Sequence, residues 1–224
     1  PLQQQGNLFV SFDLSVIPHK NIILAVTGGI AAYKSAILVR RLKDAGFDVR
    51  VVMTHGAQAF ITPLTFQALS GNPVHTELLD TEAEAGMGHI ELARWADLLL
   101  VAPASCDTLA KFAAGLADDL LSTLYLATKA PVWVAPAMNQ QMWAAKATQR
   151  NLATLIEDGV HVIVPDAGSQ ACGDVGLGRM PEPEDLARQV TEYFHKAQRA
   201  IAEKFGLLAG KQVTITAGPT REAI

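Results

Sequence analysis

Three residues stand where their side chains could act on a ligand. Cys172 lies in Gly168-Ser169-Gln170-Ala171-Cys172-Gly173-Asp174, a glycine-containing loop segment of a kind that seldom holds cysteines kept only for packing. His89 lies in Gly88-His89-Ile90-Glu91-Leu92. An imidazole changes charge near neutral pH and suits proton transfer, but a lone histidine is more often structural than catalytic. Asn139 follows Pro136-Ala137-Met138, where its amide could donate to a carboxylate or hold a flavin edge, and a turn-forming asparagine explains it equally well.

A second set could hold a phosphate. Gly28 and Gly29 permit a turn and a close backbone approach, and the helix behind them offers amides and a positive dipole end. The full Gly-x-Gly-x-x-Gly pattern is missing, so nucleotide or flavin binding and a plain structural turn stand level. The hydroxyls of Ser105 and Thr108, with the amides opening a helix after Asp107, add a second attachment point for a phosphate or ribityl chain. Asp107 also reads as a helix N-cap.

The chain pattern supplies elements to position them. Asn21–Val26 is a short apolar run leading into Thr27-Gly28-Gly29; helical spacing follows over 31–45, then a Gly46 stop and a β-branched run, Asp48–Met53. That is a βαβ unit. Apolar runs recur at 98–102, 132–135 and 160–164 with helical segments between them, which predicts a doubly wound α/β domain with a parallel sheet. Ligands of such sheets bind beyond the carboxyl ends of the strands. The residues after each run are the small and polar ones just named, joined by Thr54-His55-Gly56 and the long glycine-containing stretch 166–181. Helical periodicity returns over 182–205, and 213–221 reads as the first strand and turn of another domain.

With half of the 224 residues hydrophobic and 18% charged, the chain is not a disordered one. A net charge of -4 gives no basic surface for nucleic acid. No apolar run approaches the roughly 20 residues of a membrane helix, and the start lacks a signal-peptide pattern, so a cytoplasmic protein is expected. Two cysteines, Cys106 and Cys172, provide neither a disulfide framework nor a four-thiolate metal site, and no metal site is expected.

Taken together, Thr27-Gly28-Gly29-Ile30-Ala31-Ala32-Tyr33-Lys34, Gly88-His89-Ile90-Glu91-Leu92, Pro136-Ala137-Met138-Asn139-Gln140-Gln141-Met142, and Gln170-Ala171-Cys172-Gly173-Asp174 with Gly178-Arg179-Met180 resemble one family in order and spacing. It is the bacterial bifunctional phosphopantothenoylcysteine decarboxylase and phosphopantothenate–cysteine ligase of coenzyme A biosynthesis. The resemblance covers about Lys20 to Phe194, and Thr216-Ala217-Gly218-Pro219-Thr220-Arg221-Glu222 resembles the opening of the ligase domain. It implies four segments: 1–19, an N-terminal extension or remnant; 20–194, the FMN-dependent decarboxylase; 195–209, a linker or helix end; and 210–224, the truncated ligase start. At Cys106 and Asp107 the chain departs from the Ala-Asn that related cysteine decarboxylases often carry.

The family's properties become expectations for this chain. The fold would be a Rossmann- or flavodoxin-like flavoprotein of the homo-oligomeric, flavin-containing cysteine decarboxylase type. FMN would be held by Gly28, Gly29, Ile30, Thr54, Ser105 and Thr108, and the substrate by Asn139, Met142, Ala171 and Arg179; Met138 and Met142 line the pocket or simply pack. Oxidation of the substrate thiol would allow carbon dioxide to leave an otherwise unstabilised carbanion, and hydride return would then give phosphopantetheine. His89 would act in the oxidation half, Asn139 would hold the substrate carboxylate, and Cys172 would protonate the enethiolate. Trimers sharing the flavin site between subunits are implied, with dodecamers in fused forms. CTP and Mg2+ would serve only the missing ligase half. Flavin prenyltransferase, a non-catalytic FMN-binding regulator and a peptidyl-cysteine decarboxylase are the competing readings, each less well matched by His89, Asn139, Cys172 and the ligase-like tail.

Overall fold

The computed structural model describes residues 20–78 and 88–204. The expected N-terminal extension and the start of the ligase domain lie outside the described residues.

Apolar runs become the inner strands of a six-stranded sheet: β1 (Asn21–Val26), β2 (Asp48–Met53), β4 (Leu98–Ala104) and β5 (Val132–Pro136), with short edge strands β3 (Val74–His75) and β6 (His161–Val162). The order is β3-β2-β1-β4-β5-β6, and every neighbouring pair is parallel. This is the Rossmann order rather than the flavodoxin-like one, and it places the topological switch point between β1 and β4.

Helices cover both faces, which is why the inner strands are apolar without alternation. One face packs Ile22, Leu24 and Val26 against Leu38 and Leu42 of α1 (Ala32–Asp44) and Leu186 and Val190 of α9 (Pro183–Lys204). On the other, Ile23 and Ala25 meet Leu92 of α4 (His89–Trp95), Phe112 of α5 (Cys106–Ala114), Leu124 of α6 (Leu120–Ala127) and Leu155 of α8 (Lys146–Glu157). Each such buried leucine is worth about 1.5–3 kcal/mol over an exposed one. Short helices α2 (His55–Gln58) and α3 (Pro63–Ser70) follow β2, and α7 (Gln140–Ala144) follows β5.

Three expectations change. The run at 160–164 shortens to the two residues of β6, and β3 carries no periodic signal. The helix after β4 opens at Cys106, not after Asp107, and its N-cap is Ser105. The stretch 166–181 is not a simple loop: it contains an antiparallel hairpin, β7 (Asp166–Ser169) and β8 (Val175–Arg179), with Cys172 at its tip. Its glycines and polar residues hid it, because strand propensity reflects packing on a half-buried surface that an exposed hairpin lacks.

Candidate active site

A cavity of about 490 Å³ opens where the turns after β1, β4 and β5 converge under the hairpin; it is bordered by Gly29, Ser105, Asn139 and Cys172. A second hollow, of about 580 Å³, lies at the opposite end of the strands beside Pro131 and Asp158. None of the expected site residues borders it.

The cavity floor is knitted by backbone and short hydroxyls. Buried Thr27 donates through Oγ1 to the Pro103 carbonyl at 2.7 Å and accepts from the Ser105 amide at 2.8 Å, joining the ends of β1 and β4. A Cβ on Gly28 would sit 3.1 Å from the Gly56 carbonyl carbon and oxygen, so any larger residue would crowd the turn after β2 and push its backbone back by a few tenths of an ångström. At Gly29 the same atom would meet nothing within 4 Å, and that space faces the cavity. Helix α1 then begins with no side-chain cap and no acidic residue in its first turn; the Ala32 and Lys34 amides donate to the Gly29 and Ala31 carbonyls, and the positive dipole end is left for an anion. Helix α5 differs: Ser105 Oγ accepts from the Thr108 amide at 3.2 Å and lies 3.0 Å from the Thr108 hydroxyl.

The cover is built from polar side chains of α7 and the hairpin. Asn139 Oδ1 accepts from the Gln141 amide at 2.8 Å, which fixes the amide orientation and turns Nδ2 toward the hairpin. Nδ2 then lies 2.8 Å from Asp174 Oδ2, 3.3 Å from Gln170 Oε1 and 3.3 Å from Cys172 Sγ. Gln170 also accepts from the Gln140 amide at 3.0 Å and donates to the carbonyls of Met138 and Leu177. The Met138 amide donates to Gly178 at 2.9 Å, and a Cβ on Gly178, whose φ is +133, would run into the Met138 carbonyl oxygen. The chain must be glycine here for the hairpin to lie against the end of β5.

Of the expected residues, Gly28, Gly29, Ile30, Ser105, Asn139, Met142, Ala171, Cys172 and Arg179 all border this cavity. Met138 borders it while packing on the core, and Met142 borders it half-exposed. Thr54, Thr108 and His89 do not border it. Thr54 precedes α2 and gives its amide to Val26, Thr108 is buried behind Ser105, and half-buried His89 opens α4. Thr27, Gln170, Asp174 and Lys34 were given no role from sequence. Buried Lys34 donates to the Met180 carbonyl at 2.9 Å and to Glu182 Oε1 at 2.8 Å, tying α1 to the segment after β8. Its signal was available: Lys34, Leu38 and Leu42 recur every fourth residue on the buried face of α1. Among the described residues no group of three or more His, Cys, Asp or Glu side chains could hold a metal ion, and no helix is long and apolar enough to cross a membrane.

Residues 14–195 match the family model described as Flavoprotein. The chain belongs to the flavoprotein family. Among curated relatives of this flavoprotein, the coenzyme A biosynthesis bifunctional protein CoaBC of Vibrio cholerae is 59% identical over 205 residues, 92% of this chain and 49% of that protein. The CoaBC of Escherichia coli K12 is 55% identical over 92% of this chain and 48% of its own length. The chain thus spans about half the length of the curated relatives it matches. Among solved structures, a Cys-to-Ser mutant of PPC decarboxylase complexed with pantothenoylaminoethenethiol superposes with a TM-score of 0.70 at 34% identity, covering 79% of this chain and 99% of that one.

The cavity of this flavoprotein suits a flavin with a phosphate tail. The uncapped start of α1 and the open space at Gly29 meet the needs of a phosphate. Ile30, Tyr33, Met138 and Met142 offer apolar surface for a planar ring system.

Proposed function

We propose that this chain decarboxylates N-(4'-phosphopantothenoyl)cysteine to 4'-phosphopantetheine in coenzyme A biosynthesis, with FMN as its flavin. The observation that carries this reading is the placement of Asn139 Nδ2 3.3 Å from Cys172 Sγ at the border of the flavin-sized cavity. An amide donor and a thiol there are what a departing carboxylate and the carbanion equivalent left on the carbon that bore it require. The CoaBC relatives and the PPC decarboxylase complex support the choice of substrate.

Gly28, Gly29, Ile30 and Ser105 would hold FMN, with Thr54 and Thr108 supporting the turns behind them. Bound there, FMN supplies the two-electron sink without which the carboxylate cannot leave. The Asn139 amide holds and orients the substrate carboxylate, flanked by Met142, Ala171 and Arg179. Cys172 delivers a proton to the substrate after carbon dioxide has left. The hairpin keeps water from that carbon while it does so. His89 does not border the cavity of its own chain, which favours an assembly, a trimer, in which a neighbouring copy presents α4 at the site. His89 then acts in the oxidation half.

Incubating the FMN-loaded protein with phosphopantothenoylcysteine should yield phosphopantetheine and carbon dioxide, with no need for CTP or Mg2+, which belong to the ligase half. Absence of phosphopantetheine by mass analysis from protein that retains FMN would overturn the assignment. In sedimentation, a monomer that turns over at full rate would remove the shared-site element.

A further inference from the structure

Asn139 is over-subscribed. Its Nδ2 carries only two hydrogens, yet three acceptors surround it, the shortest contact being to the Asp174 carboxylate. Because Oδ1 is already taken by the Gln141 amide, the side chain cannot turn over to offer another donor. A ligand carboxylate that binds Nδ2 must therefore displace a present partner. Asp174 is the partner of the same chemical type as that ligand, and two carboxylates on one amide nitrogen repel each other.

We propose that Asp174 is a positioning residue that latches the hairpin by standing in for the substrate carboxylate on Asn139, and that substrate binding exchanges one carboxylate for the other. The idea rests on the reading of Asn139 as carboxylate donor. The tip moves with the exchange because it is one hydrogen-bonded unit. The Gln170 amide donates to the Asp174 carbonyl at 2.8 Å and the Gly173 amide to the Gln170 carbonyl at 2.9 Å, with Cys172 between them. Release of Asp174 thus frees the segment that carries the thiol only when a carboxylate has arrived. A ligand without a carboxylate leaves the latch closed.

The latch predicts a difference in sign that a merely structural residue would not produce. In Asp174→Asn the side chain still accepts from Asn139 but carries no charge, and in Asp174→Ala the latch is absent. In both variants of the FMN-loaded protein the KM for phosphopantothenoylcysteine should fall, by roughly tenfold in Asp174→Ala, where the closed state stops competing, and by roughly threefold in Asp174→Asn, where it competes less. The inhibition constant of phosphopantetheine, which lacks the carboxylate, should stay within about twofold of wild type. A rise in KM in either variant, or an equal change for both ligands, would show that Asp174 only braces the hairpin. Wild-type protein that acts on the first ligand and is not inhibited by the second would also sink the latch. Failure of wild type to engage either ligand would overturn the decarboxylase reading, and the latch with it.

Discussion

The floor and the cover of the cavity meet the same ligands but are held by different forces. The floor joins the ends of β1 and β4 through buried Thr27 and the contact of Gly28 with Gly56, where strand backbone and core leave no freedom. The cover hangs from Asn139 and Gln170, and its tip residues Ala171, Cys172 and Gly173 are exposed. Few apolar contacts and many solvent-facing hydrogen bonds are the marks of a segment that opens at low cost. A cofactor that stays bound suits the first construction, and a substrate that must enter and leave suits the second.

The comparison breaks most visibly at Cys172. Because a hydroxyl is far less acidic than a thiol, Cys172→Ser should cut phosphopantetheine formation by roughly 10²- to 10⁴-fold. Carbon dioxide should still be released and FMN should still bind; quenched-flow mass analysis reads both. Product formed at the wild-type rate would reduce the tip to a passive lid. Gly28→Ala is the counterpart in the floor. Its Cβ meets backbone rather than a flexible side chain, so it should cost about 1–3 kcal/mol in thermal or urea unfolding and weaken FMN.

Gln170→Ala sharpens the contrast, since it removes bonds to Gln140, Met138 and Leu177 from the cover. Global stability should change by less than about 1 kcal/mol because these groups reach water once freed, while turnover falls clearly. The smallest effect belongs away from both regions, at Asp119, which caps α6. Burial raises its carboxyl, but the Ser122 amide, Lys111 and the Ser122 hydroxyl outweigh that and hold it below the usual range. A carboxyl depressed in the folded state stabilises above its unfolded value, and that contribution is lost as pH falls through the folded one. Half-exposed, it is worth roughly 1 kcal/mol or less. Asp119→Asn should flatten the acid limb of the stability profile slightly and leave FMN binding alone.

The floor was far more legible in the sequence than the cover. Continuous apolar runs and the glycine turns after them report local, backbone-driven structure, so the βαβ start over 21–53 and the cavity positions of Gly29 and Ser105 follow from pattern alone. Cys172 and Asn139 were legible as residues, through motif resemblance, yet their juxtaposition depends on a hairpin whose strands Asp-Ala-Gly-Ser and Val-Gly-Leu-Gly-Arg have no strand signature. Gln170 and Asp174 matter through side-chain bonds to Asn139 across about 30 residues, a separation that no local period records. Thr54 and Thr108 lie beside strand ends as well, yet neither borders the cavity.

The division of labour between floor and cover can be tested in one variant. Ser169 and Val175 are paired across the hairpin, so replacing residues 170–174 by Asn-Gly, a two-residue turn that fits such a pair, removes the tip and keeps the strands. This protein should bind FMN within about threefold of wild type and form no phosphopantetheine. Loss of FMN together with the tip, or turnover that survives its removal, would contradict the account.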